Sequence, residues 1–460
     1  MDKYDCIIIG MGPTGLFSAL ELIKKMPDLK ILMIDKGKEL SKRDSNKRED
    51  LTCGFGGAGT RSDGKIVYSL DKSYGGNLQD YIHDLNYFQF LMNQVDETLM
   101  NFSDDKNIPI FGDDLEKIAP IKLRASQNGM SLLSGRIRHC GTDNNLNILN
   151  NMYGYLKDKI EFKFEEEVNN IIVEDSIFTV YADKIYTAKY VILGVGRSGN
   201  RFFENLSKTM GIKTINNQID IGIRIEMPNW VSESIDKILY EPKLLIRTPK
   251  TDLKTRTFCW NPSGFVVQES IKDEDGKELV TVNGHCNSGN GLKSQNTNFA
   301  LLVSSTFTEP FNQPSLYGRS IIKLCNLLAG GGVLMQRLKD LKNNIRSTKK
   351  RILEMNLQPT LKEAEAGDLR YALPSKQIDA ILESIEILDR LMPGINSNDT
   401  ILYAPEVKHY SIRGDLTNEL ETKITNLYAG GDGAGVSRGI AQSSMCGIII
   451  AKSILAKSKN

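Results

Sequence analysis

The chain has 460 residues, too many for one ordinary core, so two or three domains are expected. Its 40% hydrophobic and 25% charged content is that of an ordinary globular protein. A formal net charge of +1, from 58 basic and 57 acidic side chains, gives no electrostatic reason to expect nucleic acid or an anionic membrane surface as partner.

The opening MDKYDCIIIG runs straight into a strand, so no conventional signal peptide is expected. No uninterrupted apolar run reaches the roughly 18 to 20 residues that span a bilayer. The seven cysteines are scattered and include no CxxC pair, which signals neither a dithiol motif nor a zinc site. Reduced thiols in a cytoplasmic protein, with no metal and no stable membrane insertion, are the expectation. A homo-oligomer is left open.

Residues 6–9 form a short apolar run, as a strand buried on both faces requires. Leu16, Leu20 and Ile23 then recur at helical spacing, Pro27 closes the helix, and a second apolar run at 31–34 ends at Asp35. This is a βαβ unit. Its first turn, Gly10-Met-Gly12-Pro13-Thr14-Gly15, has GxGxxG spacing. The first glycine permits a tight turn, the second lets backbone approach a pyrophosphate, and the third allows close helix packing. The anion then sits at a helix N-terminus, and Asp35, 20 residues on, can accept both ribose hydroxyls. An adenine dinucleotide is expected, without a choice between NAD and FAD.

Further along, residues 54–64 hold too many glycines for a regular element and suit a loop pressed against a ligand. Residues 161–186 show the period of a β meander, and a buried strand at 190–193 leads into a second GxGxxG, Gly194-Val-Gly196-Arg-Ser-Gly199. The stretch after it shows no clear helix and no strand ending in an acid, so it reads as a turn beside the first site and not as a separate NAD fingerprint. Strand-like runs follow at 220–226, 264–269 and 279–283, with Asp275-Gly276 as a hairpin turn. Residues 315–389 are largely helical in pattern, with Leu338, Leu341, Ile345 and Ile352 as one apolar stripe. From Asn426 the chain returns to strand, then a glycine turn containing Gly431 and Asp432, then a small-residue helix beginning near Gly439.

That ending resembles FAD-dependent proteins of the glutathione-reductase-like fold. The resemblance implies that Asp432 binds the ribitol chain and that the helix N-terminus at Gly439 and Ile440 faces the flavin O2 edge. Across most of its length the chain resembles poorly characterised bacterial FAD-dependent dehydrogenases, with geranylgeranyl reductases as distant relatives. The motifs are GMGPTG at 10–15, GFGGAGTRSDGKI at 54–66, IRHCGTD at 137–143, LGVGRSG at 193–199, IDIGIRIEMP at 219–228, VNGHC at 282–286 and AGGDGAGVSRGIAQSSMCGIIIA at 429–451. The resemblance implies an α/β fold: a Rossmann-like FAD-binding domain (1–215 and 401–460) with an inserted mixed β-sheet and helical substrate or cap domain at 216–400, β-rich to about 310. Besides the residues above it implicates Lys36, Gly56, Gly57, Thr60, Arg61 and Val168 in FAD binding. The chain departs from the family pattern at Cys259-Trp-Asn-Pro-Ser-Gly264, at Lys408-His409-Tyr410-Ser411 and at Gly435-Val-Ser-Arg438-Gly439. These changes fall where the flavin face and substrate pocket belong, so cofactor carries over better than substrate.

Hydride transfer asks the protein for positioning, exclusion of water and one acid or base. Of the four histidines, His139 and His409 are the candidate catalytic groups, with His285 behind them. Arg61 and Lys65 are candidates for binding a substrate carboxylate or a phosphate; Cys53 reads as a buried small residue. The expected activity is that of an FAD-dependent oxidoreductase acting on a small molecule, with NAD(P)H a candidate electron donor. The alternatives are a flavin monooxygenase, which commonly has a histidine soon after the acidic turn, and a non-catalytic or tRNA-associated protein, which the near-zero charge disfavours.

Overall fold

The computed structural model describes residues 2–458 apart from 45–47, 61–63, 72, 73, 75, 113, 134, 240, 273–276 and 287–291. The chain divides into two units. The first comprises Met1–Phe111, Gly135–Asn217 and Ser411–Asn460, the second Gly112–Ser134 and Gln218–Tyr410.

In the first unit, β1 (Asp2–Ile9) lies parallel between β2 (Ile31–Ile34) and the strand Ile185–Leu193, and Glu161–Lys163 extends the sheet beyond β2. The four residues of β2 and the last four of Ile185–Leu193 are all buried, which explains their unbroken apolar runs. The other end of Ile185–Leu193 pairs antiparallel with Ile177–Tyr181, which in turn pairs with Asn170–Glu174. The turn between those two strands is Asp175-Ser176, both at positive φ, as the tightest hairpins require. Leu427–Ala429 then joins parallel beside Val191–Leu193, closing the unit with residues from the far end of the sequence. Helix α1 (Pro13–Lys25) packs against the C-terminal helix Ile440–Ser458. Backbone contact is close there: a Cβ on Gly447 would lie 2.3 Å from the Thr14 carbonyl oxygen. The Thr14 hydroxyl donates to the Ser443 carbonyl at 2.9 Å, and the Ser18 hydroxyl to that of Thr14 at 2.9 Å. Among the described residues Ile440–Ser458 is the helix long and apolar enough to cross a membrane, with 72% of its apolar window buried inside the protein.

The second unit is built on an eight-stranded sheet. Its central strand Ile219–Pro228 lies antiparallel between Ile401–Lys408 and Asn296–Ser305. Alternation puts Ile219, Ile221, Ile223, Ile225 and Met227 in the apolar core with Ile378, Ile381, Ile385 and Leu388 of the helix Ser375–Asp389. On the other face Asp220, Arg224 and Glu226 are also buried, each held by polar partners. Phe265–Lys272 and Glu278–His285 form a separate hairpin; the expected turn Asp275-Gly276 lies outside the described residues.

Several expectations need correcting. The apolar stripe 338–352 is not one helix. Leu338 and Leu341 sit in the short helix Leu338–Lys342, the chain turns at Asn344 with φ +55°, Ile345 is exposed, and Ile352 enters a different core from Lys349–Leu353. The second glycine turn is followed by a helix after all, Asn200–Met210, ended by Gly211 at φ +65°. The next strand, Thr214–Ile215, pairs with Arg413–Gly414 and not with the main sheet, so no second Rossmann unit forms. Ile401–Lys408 belongs to the second unit's sheet, and the first unit's closing segment therefore starts at Ser411 and not at 401. Met130–Leu133 pairs with Lys243–Arg247 and takes residues 112–134 into the second unit as well.

Candidate functional site

A cleft of about 680 Å³ opens in the first unit where β1, Ile185–Leu193 and Leu427–Ala429 end. The carboxyl ends of parallel strands are where open α/β sheets bind ligands. Gly10, Gly12, Pro13, Thr14, Asp35, Lys36, Gly57, Val168, Gly194, Gly196, Gly431, Asp432, Gly439 and Ile440 all line it.

The glycines divide into two kinds. At Gly10, φ is +100° and a Cβ would lie 2.6 Å from the Gly194 carbonyl oxygen; at Gly15 a Cβ would lie 2.1 Å from that of Gly10. These two let the turn close against its neighbours, and Gly15 does not line the cleft. Gly12, Gly196 and Gly439 have no heavy atom within 4 Å of the Cβ position. They present bare backbone to the cleft, the cradle a pyrophosphate needs. Pro13 begins α1 just beyond Gly12, so the unpaired N–H groups of that helix end add a partial positive charge.

Asp35 ends β2 with its carboxylate shared among three backbone N–H groups: Met11 at 2.9 Å, Gly37 at 2.8 Å and Gly54 at 2.7 Å. Lys36 pairs with Glu167 at 3.1 Å, beside Val168. Gly56 and Thr60 lie behind the cleft and do not line it. The Thr60 hydroxyl, buried, donates to the Gly57 carbonyl at 2.9 Å, and the buried Arg43 donates to the carbonyls of Asp50, Phe55 and Gly57. Arg43 thus shapes the glycine loop, a role nothing in the sequence marks. Arg61 lies outside the described residues.

In the acidic turn, Asp432 lies 3.0 Å from Arg197 Nε. Burial pushes the Asp432 carboxyl up, and the charges of Arg197 and Arg438 oppose that shift. Asn200 donates to the Gly433 carbonyl at 3.1 Å, tying the helix after the second glycine turn to the acidic turn.

The candidate catalytic histidines do not line this cleft. His139 ends the strand Arg136–His139 opposite Lys65, which does line it. His409 lies in the second unit, packed over Gly318. Its Nε2 is buried without a hydrogen-bond partner, and burial, with Arg319 and Lys408 adding to it, pushes its pKa down to about 4. His285 is exposed. Cys53 is half-exposed and lines the cleft, its Sγ 3.3 Å from the Ser198 hydroxyl. Glu166, Arg197, Arg201, Phe202 and Asn205 also line it and were not singled out by motif. Their signal was position alone, next to Val168 or within and just after the second glycine turn.

Residues 218–409 match the family described as FAD-dependent protein, C-terminal domain-like. A protein of Clostridium beijerinckii, named only as an uncharacterized protein, is 24% identical over 494 residues, covering 98% of this chain and 80% of its own. Solved structures with a similar chain course include quinol fumarate reductase FrdA of E. coli (12% identity, 100% of this chain and 71% of that one, TM-score 0.43). Others are a flavoprotein/dehydrogenase of Cytophaga hutchinsonii (10% identity, 100% and 79%, TM-score 0.38) and glycine oxidase of Geobacillus kaustophilus (12% identity, 99% and 95%, TM-score 0.36). Likenesses this loose leave the reaction to the chain's own residues. Seven of the eight strands of the second unit's sheet lie within the matched segment, and Met130–Leu133 lies outside it.

Proposed function

We propose that this chain is an FAD-dependent oxidoreductase that moves a hydride between the flavin and a small molecule, with NADH or NADPH as the first electron donors to try. The observation that carries this is one cleft lined by the bare-backbone turn at Gly12, by Asp35, and by Asp432 with Gly439 and Ile440, where the helix Ile440–Ser458 starts. A dinucleotide that uses both the Asp35 edge and the acidic turn at Asp432 suits FAD, and the family that residues 218–409 match agrees. When bound, FAD supplies the hydride chemistry at N5.

The protein's share is placement. Gly12 and the start of α1 face the pyrophosphate, the Asp35 edge takes the adenosine, and Asp432 accepts from ribitol hydroxyls. The first turn of Ile440–Ser458 has no acidic residue to oppose negative charge at the flavin's O2 edge. His139, beside Lys65, stays the candidate acid or base in this unit, and His409, neutral at pH 7, the candidate in the other.

The test is to purify the full chain, add FAD, remove the excess and record its absorbance. Anaerobic bleaching is then followed with NADH, NADPH and a panel of small carboxylates and amino acids. Retained flavin bleached by one of these is the expected result. A protein that takes up no FAD overturns the reading.

A further inference from the structure

The second glycine turn lies against the first, with the Gly194 carbonyl 2.6 Å from where a Gly10 Cβ would be, and Gly196 presents bare backbone to the same cleft as Gly12. What it brings that the first turn lacks is positive side-chain charge. Residues 10–15 contain no cation, and the basic residues of α1 are Lys24 and Lys25 in its last turn. A pyrophosphate bears about two negative charges, whereas a helix N-terminus offers about half a positive one. Arg197 and Arg201 are four residues apart, and both line the cleft.

We infer that Arg197, supported by Arg201, is the cationic half of the phosphate site, binding the dinucleotide's pyrophosphate opposite the first glycine turn; this rests on the reading that the cleft takes FAD. The Arg197 side chain is 73% exposed, and among the described residues Asp432 is its one charged partner, met through Nε at 3.0 Å. A guanidinium held at Nε by a carboxylate keeps its two amino groups for a second, bidentate acceptor, and phosphate matches that fork. Arg201 is exposed and forms no ion pair among the described residues, free to add a second charge. The other cations of the cleft are placed differently: Lys36 is paired with Glu167, and Lys65 lies on a strand opposite His139. On this assignment the second GxGxxG is part of one site and not a second nucleotide fingerprint.

The experiment is equilibrium FAD binding to the full chain by flavin fluorescence across a series of salt concentrations. The proteins are the wild type, R197Q, R197K, R201Q, D432N and the double variant R197Q/D432N, each checked by thermal melting without FAD. R197Q is expected to raise the FAD Kd at least tenfold and to flatten its salt dependence, in the wild-type and D432N backgrounds alike. R197K recovers much of the loss, and R201Q loses less. An unchanged Kd and salt slope in R197Q overturns the inference. So does a loss that vanishes in the D432N background, which would make Arg197 a support for Asp432 and not a phosphate ligand. Failure of the wild type to bind FAD at all sinks the underlying reading, and the inference with it, independently of any variant.

Discussion

Asp35 Oδ1 accepts a hydrogen bond from the Gly54 N–H at 2.7 Å, tying the end of β2 to the glycine loop nineteen residues on. With Met11 and Gly37 also donating, the carboxylate that the motif assigns to a ribose is at the same time the knot of three turns. Asn in its place keeps one acceptor oxygen and turns an NH2 group toward a donor. D35N is therefore expected to lose about 1–3 kcal/mol of stability as well as FAD affinity. Urea melts with and without FAD check this; a variant that loses only affinity would refute the structural role.

The two kinds of glycine separate folding from binding. G12A meets no protein atom and has φ −78°, so stability should change by no more than about 1 kcal/mol while FAD affinity falls at least tenfold. G10A meets the Gly194 carbonyl and needs φ +100°, and should lower stability by about 2–4 kcal/mol. Melting curves of the FAD-free proteins alongside FAD titrations distinguish the two.

In the second unit, Arg224 and Glu406 form an ion pair at 3.0 Å with both side chains fully buried. Burial alone would raise the Glu406 carboxyl, but Arg224 and Lys408 overcome it and hold it below the usual range. E406Q leaves Arg224 without its full counter-charge and should cost about 3–5 kcal/mol, whereas E406L combined with R224M should recover part of that loss. Chemical denaturation of the wild type and the two variants measures it.

His409 titrates near pH 4 in the folded chain against 6.5 when free, so the unfolded chain binds the extra proton first as pH falls. Stability from this group is full above pH 6.5 and is lost progressively between 6.5 and 4, up to about 3 kcal/mol. H409Q should flatten that part of the stability profile. An unchanged slope between pH 6.5 and 4 would contradict it.

Asp236 has the opposite sign. Burial raises its carboxyl from 3.8 to about 6, against hydrogen bonds from Ser232, Trp260 and Thr297. The folded chain holds the proton longer, so stability from this group falls as pH rises from about 4 to 6. D236N should match the wild type below pH 4 and exceed it above pH 6 by up to about 3 kcal/mol.

By itself the sequence determined the βαβ unit, its glycine turn and the acidic turn at Asp432, because buried parallel strands and close backbone approaches leave local marks: short apolar runs and glycines at fixed spacing. Only the tertiary structure decided that Gly12 and Gly196 are bare while Gly10 and Gly15 are packed, since Gly10 meets Gly194 and Val195 and Gly15 meets Gly10, Ile8 and Met33. It also decided that Arg43 shapes the glycine loop and that Arg197 meets Asp432 across more than two hundred residues. The stripe at 338–352 failed because periodicity records which residues are apolar, not whether one core receives them; Leu341 and Ile352 answer to different cores. Residues 112–134 and 401–410 went to the second unit for the same reason: strand pairing with distant partners is a contact between segments, and neither segment carries it alone.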